Sequence, residues 1–490
     1  MSKYDDGYDD TDTYELNQMQ DRASGSHHGG LMDTAQTGLK RDLRLRHMIM
    51  IAIAGTIGTG LFLTSGSTIA TAGPGGALLA YTLIGIWIVF VLQAIGEIAT
   101  LLPLPGAFNS WGGRVFDEAF SFMMTWMYCI NWALTIPAQL SASALIVSFW
   151  LPDDTKFPPW IVPLVIIVLM VIINIAGVKT YGELEYWFSI LKVVTIIIFL
   201  VCGILVDAGA LGGHTYGFEN WKITGAPFKG GFVSFIRTLI SVGYAYGGAE
   251  MIGITAAESR NPHKHVPWAI NTVLIRIAFF YIASIFLLGC IVANGDPLLV
   301  NTDRSAARAP FTIVFAKAGI SGAANYMNAW FVSIIGSISF QGWMYILILH
   351  FRFRYCWKVQ GRDVNDLPYV AWGFPYGNII GAFIGGCCIV CNWYLSIVNP
   401  PQHPGEGAST EMMNAYHNRR DAYIQGILGA WFPWFMSAIL YFSYKFICGT
   451  KLIKAVDADL DTGRFIPSDS DKEDLRPHGP RWKRFLKMFV

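Results

Sequence analysis

Two glycine-rich segments interrupt apolar stretches of this sequence, and the first lies at residues 55–62. Gly55, Gly58 and Gly60 are interspersed there with two threonines, a composition that makes a poor helix interior. A helix broken at this point would present free amide groups, which suit a carboxylate, and free carbonyl groups, which suit an ammonium. The alternative is a small-residue surface on which a neighbouring helix packs.

The second glycine-rich segment is residues 244–250, and it adds an acidic side chain to paired glycines. Gly247 and Gly248 follow Tyr244 and Tyr246, and Glu250 lies two positions further on. The two interruptions fall in the first and the sixth apolar segments of the chain. Interrupted spans at corresponding positions of two halves are typical of transporters that bind their substrate near the middle of the membrane.

Glu250 and Lys192 are ionisable residues within apolar segments, where charged side chains are rare and usually functional. Glu250 could bind and release a proton, and a desolvated Lys192 could occupy the place of a coupling sodium ion. The structural alternatives are a salt bridge for Glu250 and, for Lys192, a side chain that extends to the membrane surface.

The composition places these segments in a lipid bilayer. The 490-residue chain is 53% hydrophobic and 14% charged, whereas soluble domains carry about 25% charged residues. A membrane-spanning helix needs about 20 mostly apolar residues. On that criterion the sequence predicts ten spans, at residues 48–70, 76–102, 119–150, 160–177, 186–206, 231–256, 267–293, 326–349, 376–398 and 424–447.

The positively charged residues predict which side of the membrane each end of the chain occupies, because Lys and Arg concentrate in cytosolic loops. Four basic residues between positions 40 and 46 precede the first span. With ten spans, we therefore expect both ends in the cytosol. The expected domains are an N-terminal tail at 1–47, a transmembrane transporter domain at 48–447 and a C-terminal tail at 448–490.

Several other classes of protein are disfavoured by the same sequence. The net charge of +1 provides no basic surface for nucleic acid. Most of the eight cysteines lie in apolar segments, which indicates packing rather than disulfides or a metal site. No His-Glu-x-x-His or Gly-x-Ser-x-Gly motif lies in a predicted span, so an intramembrane enzyme is unsupported. A channel is disfavoured because no ring-forming polar pore motif is present.

The motifs resemble those of the fungal amino acid permeases in the amino acid–polyamine–organocation superfamily. The resemblance covers most of the chain and rests on Gly58-Thr59-Gly60-Leu61-Phe62, Ala72-Gly73-Pro74, Gly96-Glu97, Gly182-Glu183 leading into Lys192, Tyr246-x-Gly248-x-Glu250, Glu258-Ser259, Asn261-Pro262, Lys358-Val359-Gln360-Gly361, Leu367-Pro368-Tyr369 and Asp461-Thr462-Gly463-Arg464.

The resemblance implies an all-α polytopic membrane protein with two inverted five-helix repeats, discontinuous spans one and six, and two further helices. It implies a substrate-binding set made of Thr56, Ile57, Gly58, Thr59, Gly60, Tyr244, Tyr246, Gly247 and Gly248. The carboxylate of the substrate would meet amides of Thr59 and Gly60, and its amino group would meet carbonyls in both glycine-rich segments. Tyr244 or Tyr246 would act as a gate. Glu250 and Lys192 would serve proton coupling and gating.

Three departures from the family pattern are visible. Gln139 stands where relatives commonly have Glu, and Trp268 stands where a basic residue is usual. The family has twelve spans, whereas this sequence predicts ten. Residues up to Asn328 resemble the start of the family's eighth span, and residues from Trp330 on resemble its tenth. The resemblance therefore predicts that a segment around spans eight and nine is missing from this chain.

We expect a proton-coupled amino acid permease of a fungal plasma membrane, which imports amino acids by alternating access. The expected partners are an amino acid and the lipid bilayer, with ubiquitin ligases acting on the cytosolic tails. No cofactor is expected, because the proton gradient supplies the energy. The alternative is a transport-deficient or receptor-like paralogue or splice form that retains the permease fold, and the missing segment makes that alternative a serious one.

Overall fold

The computed structural model describes residues 43, 47–48, 50, 59–148, 158, 160–211, 213–272, 277–294, 321–398, 400–402 and 410–465. Within these residues the chain is predominantly helical and contains no β-strand. The first helices are α1 (Thr59–Leu101), α2 (Phe108–Val115), α3 (Glu118–Ser148), α4 (Ile161–Ile175), α5 (Val178–Asp207) and α6 (Gly231–Tyr246). They are followed by α7 (Met251–Thr255), α8 (Pro262–Asn271), α9 (Ser284–Ile291), α10 (Ser321–Val359), α11 (Tyr376–Ile397) and α12 (Thr410–Cys448).

Helix α1 consists of two helical stretches that meet at Gly73, between the first and second predicted spans. Gly73 has φ 78° and ψ 169°, a conformation that glycine adopts more readily than other residues. Pro74 follows and has no amide hydrogen to continue the helical pattern. A Cβ atom on Gly73 would lie only 2.6 Å from the carbonyl oxygen of Pro227. The chain therefore turns where conformation and close packing both require glycine.

The sixth predicted span is interrupted at its paired glycines. Helix α6 ends at Tyr246, and α7 begins at Met251. Gly247 is extended, with ψ 141°, and Gly248 has φ +93°. These dihedral angles cannot continue a right-handed helix. The structure thus contains the interruption that the sequence predicts at Gly247 and Gly248.

Within the described residues, four helices are long and apolar enough to cross a membrane. These helical segments are Thr64–Leu101, Gly182–Asp207, Tyr376–Ile397 and Met412–Cys448. The fourth predicted span, 160–177, lies on the shorter apolar helix α4, and the sixth is interrupted at the break between α6 and α7. Helix α4 has no buried residues, and its large apolar side chains are exposed. Such a surface is suited to contact with lipid rather than with water.

The core lies where α1 packs against α6 and α10. Trp87 on α1 contacts Phe340 and Trp343 on α10, with ring centroids 5.1 and 5.3 Å apart respectively. Helices α6 and α10 approach closely at Gly336, where a Cβ atom would lie 2.8 Å from the Ile240 carbonyl oxygen. Small residues allow helix backbones to approach in this way.

A fully buried carboxylate joins the ends of three helical regions. Glu97 on α1 accepts hydrogen bonds from Arg354 Nη2 at 2.6 Å and from the Ala371 amide at 2.7 Å. His350 Nε2 lies 3.0 Å from the other carboxylate oxygen. Asn378 on α11 lies 2.8 Å from His350 Nδ1. We call these residues the Glu97 cluster.

Residues 451–465 cross the same end of the helix bundle, and we call them the C-terminal strap. The Ile453 amide donates to the Phe116 carbonyl at 2.7 Å, and the Phe465 amide donates to the Leu101 carbonyl at 3.2 Å. Arg362, just beyond α10, binds both carboxylate oxygens of Asp461 at 2.7 and 2.5 Å. The strap thereby connects the ends of α1, α2 and α10.

Candidate functional site

Tyr246 is anchored in an aromatic cluster beside the helix interruption. Its ring stacks on that of Tyr281, with centroids 4.2 Å apart, and its hydroxyl donates to the Tyr81 carbonyl at 3.1 Å. The Tyr281 hydroxyl in turn donates to the Ala245 carbonyl at 3.1 Å. Tyr246 has no exposed surface, whereas Tyr244 is only partly buried. These contacts fix the position of Tyr246, and the gating role expected for Tyr244 or Tyr246 stays a prediction.

Glu250 is buried immediately after the interruption, with 6% of its surface exposed. Its carboxylate accepts a hydrogen bond from the Trp343 indole nitrogen at 3.3 Å. No ion pair to Glu250 is present within the described residues. The salt bridge considered as a structural alternative is therefore not found there. A buried carboxylate that has no paired cation destabilises the folded protein, unless the carboxylate binds a proton or a positively charged ligand.

A cavity of about 40 Å³ lies beside Glu250, between α3, α10 and the end of α2. Its walls combine apolar and aromatic side chains with a few polar ones. The lining residues are Phe108, Met124, Met127, Tyr128, Asn131, Glu250, Ile338, Ser339, Gln341, Gly342, Trp343, Tyr345 and Ile346. An apolar wall with a small number of convergent polar groups is the usual form of a small-molecule site.

Lys192 is partly exposed on α5 and lies within 3.7 Å of Glu185 on the same helix. Lys192 was predictable from the sequence, whereas its partner Glu185 was not. Farther towards the N-terminal end of α5, Glu183 lies 3.1 Å from His47 Nε2. The Ser189 hydroxyl donates to the Met50 carbonyl at 3.0 Å. Helix α5 therefore contacts the segment that leads into the first glycine-rich region.

The first glycine-rich region is only partly described. Thr56, Ile57 and Gly58 lie outside the described residues, and Thr59 and Gly60 form the first described turn of α1. The binding roles expected for these five residues therefore stay predictions.

Sequence reasoning missed Asn131, Ser339, Gln341 and Trp343, which surround the cavity with Glu250. None belongs to a motif with a distinctive spacing, and Asn131 lies on a different helix from the other three. The sequence offered one signal for these residues, namely that polar side chains lie within otherwise apolar segments. The structure supplies the additional fact that these segments are adjacent.

An apolar helical protein with an interrupted helix and a buried acidic residue beside a small cavity has the form of a polytopic membrane transporter. The family model described as "Amino acid permease" matches residues 47–329 and 328–433 of this chain. These two matches together cover most of the sequence. The chain belongs to the amino acid permease family.

Curated relatives come from bacteria and fungi. The lysine-specific permease LysP of Lactococcus lactis is 37% identical over 503 residues, covering 87% of this chain and 94% of the relative. The histidine permease HisP of the same organism is 36% identical over 495 residues, covering 87% of this chain and 98% of the relative. The general amino-acid permease GAP2 of Candida albicans is 38% identical over 470 residues, covering 81% and 79%. These relatives are transporters rather than enzymes.

The two family matches meet at residues 328–329, inside α10. This is the position at which the sequence analysis places the join across a missing segment. The alignment with LysP runs over 503 positions, more than the 490 residues of this chain, although only 87% of the chain takes part. LysP therefore contains residues that have no counterpart here.

Proposed function

We propose that this protein imports amino acids together with protons by alternating access, with Glu250 as the proton-binding group. The observation that carries the proposal is the buried Glu250 carboxylate, which directly follows the interruption of α6. No positively charged side chain pairs with it within the described residues. Binding of a proton or of a cation neutralises this carboxylate, which couples its charge to the contents of the site.

The backbone at the interruption supplies polar groups for binding the α-amino and carboxylate groups that all amino acids share. Gly247 and Gly248 leave the helical conformation, and short turn bonds replace the regular helical pairing there: the Gly247 amide donates to the Tyr244 carbonyl and the Met251 amide donates to the Gly248 carbonyl, both at 3.2 Å. Opening of these turn bonds would make the backbone groups available to a substrate. Such groups distinguish an amino acid by its charged amino and carboxylate ends. The names of LysP, HisP and GAP2 agree with amino acids as the substrate class.

Uptake by purified protein in proteoliposomes tests this function. We expect an inward pH gradient to drive accumulation of radiolabelled amino acids. Glu250→Gln should abolish gradient-driven accumulation while leaving exchange of labelled for unlabelled substrate, because the amide cannot exchange a proton. Lys192→Met tests the second ionisable candidate. Glu219→Gln is the matched control, since Glu219 lies in an exposed loop and pairs only with His214 among the described residues.

Accumulation that is insensitive to the pH gradient, or unchanged in both Glu250→Gln and Lys192→Met, would contradict proton coupling through these residues. Absence of uptake together with intact amino acid binding would favour the receptor-like alternative. A conductance without saturable binding would indicate a channel instead.

The proposal places the protein in a fungal plasma membrane with both tails in the cytosol, where ubiquitin ligases reach their lysines. The basic residues before the first span support this orientation. Protease digestion of sealed cells should leave epitopes on both tails intact, and permeabilised cells should lose them. Digestion of either epitope in sealed cells would reverse the assigned orientation of that tail.

A further inference from the structure

Leu43, which follows the N-terminal tail, pairs with the backbone between α7 and α8. Its amide donates to the Glu258 carbonyl, and its carbonyl accepts from the Arg260 amide, both at 3.1 Å. Its side chain is 1% exposed, and Cδ2 would lie 3.1 Å from a Cβ atom on Gly182, near the start of α5. Leu43 therefore connects α5 to residues 256–261, which we call the α7–α8 connection.

The C-terminal strap contacts the residues directly after the same connection. The Phe465 ring packs edge-on against the ring of His263 in the first turn of α8, with centroids 4.8 Å apart. His263 is buried. The rest of the strap is fixed to the end of α10, where Gln360 and Arg362 bind it. Phe465 therefore connects α8 to α10 through the strap.

The α7–α8 connection is short and internally bonded. The Ser259 side chain is fully buried, and its hydroxyl lies 2.8 Å from His265 Nδ1 on α8. The Asn261 side chain accepts a hydrogen bond from the Lys264 amide at 3.2 Å and so caps α8. Because packed and bonded segments transmit displacement, we expect the connection to move together with α7 and α8.

Helix α7 is packed against α1 in this structure. A Cβ atom on Gly253 would lie 2.8 Å from Cγ2 of Ile95. Ile252, Ala256 and Ala257 are buried as well. The end of α7 that leads into the connection is therefore closed to solvent at these residues, and Glu250 directly precedes the helix.

We propose that Leu43 and Phe465 form a clamp that holds α7 and α8 in this closed position. Motion of α7 and α8 relative to α5 and α10 must break the two Leu43 hydrogen bonds and the contact between Phe465 and His263. The N-terminal tail precedes one clamp residue and the C-terminal tail follows the other. A partner or modification that displaces either tail therefore weakens the closed form.

The clamp goes beyond the proposed function but has a consequence for it. Under alternating access, release of the clamp shifts the population towards the form that is open at this end of α7. Both tails then act on one equilibrium, because each contributes contacts to the same closed form.

Amide hydrogen exchange in Phe465→Ala tests whether the two contacts belong to one unit. The substitution removes the ring contact with His263 and leaves the Leu43 backbone untouched. We expect exchange of the Arg260 amide, which donates to Leu43, to accelerate by about twofold to tenfold, the usual range for loss of an aromatic pair. Val456→Ala is the matched control, since Val456 is an exposed residue of the same strap, and it should leave this exchange unchanged.

Cysteine labelling tests the clamp from its N-terminal side. Ala257→Cys places a reporter at the buried end of α7, and mass spectrometry of its peptide separates the reporter from the native cysteines. Leu43→Pro removes the amide that donates to Glu258, so a water-soluble maleimide should label the reporter faster in nanodiscs. Leu43→Met is the control, because it keeps the amide and nearly the same side-chain volume.

The double variant with Leu43→Pro and Phe465→Ala distinguishes one clamp from two separate contacts. If both residues hold one closed form, the two accelerations of labelling multiply. Two independent openings would instead add their rates, and that result would overturn the clamp. Exchange changes confined to the strap in Phe465→Ala would also overturn it.

Neither measurement requires transport. A multiplicative effect in a protein that accumulates no amino acid would establish the clamp and contradict the proposed function. Proton-driven uptake with additive labelling rates would support the proposed function and overturn the clamp.

Discussion

Glu97 connects distant parts of this protein through the hydrogen bonds of its carboxylate. Its carboxylate is fully buried, and Arg354 and the Ala371 amide both donate to it. If the Asn378 amide donates to His350 Nδ1, the imidazole proton lies on Nε2 and points at Glu97. A neutral histidine then satisfies the cluster, and Arg354 alone balances the buried negative charge.

Glu97→Gln should strongly destabilise the protein, because it leaves the Arg354 guanidinium buried without its counterion. Breaking one side of a buried ion pair typically costs about 3–5 kcal/mol. We expect a lower thermal midpoint for the detergent-solubilised variant. Adding Arg354→Met in the same chain should recover part of the loss by removing the unpaired charge.

The exposed pair of Glu219 and His214 provides the comparison for this cluster. Glu219→Gln should change the free energy of unfolding by less than about 1 kcal/mol, as is usual for exposed ion pairs. Equal midpoints for Glu97→Gln and Glu219→Gln would show that the buried cluster has no special role in stability.

At the scale of elements, the C-terminal strap is held by side chains from several helix ends. Gln360 donates to the Ala458 carbonyl at 2.7 Å, and Arg352 donates to the Ile453 carbonyl at 2.7 Å. Leu460 is nearly completely buried. The Arg362 guanidinium, which binds Asp461, holds the pKa of that carboxyl below its ordinary value of 3.8. The strap is therefore fixed by both packing and charge.

Asp461→Asn should loosen the strap at neutral pH by removing the ion pair with Arg362. Because the pKa of Asp461 is lowered in the folded protein, the pair is intact above pH 4 or so and is lost as the pH falls through that lowered value. Amide hydrogen exchange in the strap should increase by no more than about fivefold at pH 7, since Asp461 is largely exposed.

After correction for intrinsic rates, the difference between the variant and the unaltered protein should shrink towards pH 3. Asp457→Asn is the control, because Asp457 is an exposed residue of the same strap with no ion pair among the described residues. An equal effect from both variants would assign the loosening to net charge rather than to the Arg362 pair.

At the scale of the whole molecule, the two family matches meet at residues 328–329 within α10, where the sequence predicts a missing segment. In the family pattern implied by the resemblance, spans eight and nine belong to the scaffold against which the interrupted helices move. Polar backbone groups exposed to lipid cost several kcal/mol each, compared with about 5–15 kcal/mol for the stability of a whole domain. The sequence predicts that part of this scaffold is missing, and we therefore expect this chain to transport poorly.

Inserting at this join the residues of LysP that have no counterpart in this chain should raise the initial rate of amino acid uptake. The inserted helices would restore the scaffold surface beside α10. A flexible Gly/Ser insert of equal length is the control and should not raise the rate. Robust uptake by the 490-residue chain, unchanged by the insertion, would show that the shortened protein is already complete in function.

The sequence by itself determined the features that depend on local composition. Apolar segments are recognisable because each must be long enough to cross the bilayer hydrocarbon, whatever surrounds it. The interruption at Gly247 and Gly248 was predictable for the same reason, since paired glycines disfavour a helix locally. Glu250 stood out because ionisable residues are rare in such segments. The roles predicted for residues 56–60 stay predictions.

Tertiary structure alone decided which side chains meet. Glu97 and Arg354 lie 257 positions apart in the sequence, and Asn131 shares its cavity with Gln341 from a distant helix. Tyr244 and Tyr246 look equivalent in the sequence, yet only Tyr246 is fixed between Tyr81 and Tyr281. Hydropathy selects the segments that enter the membrane, but their pairing depends on the shapes of the packed surfaces, which one segment does not contain.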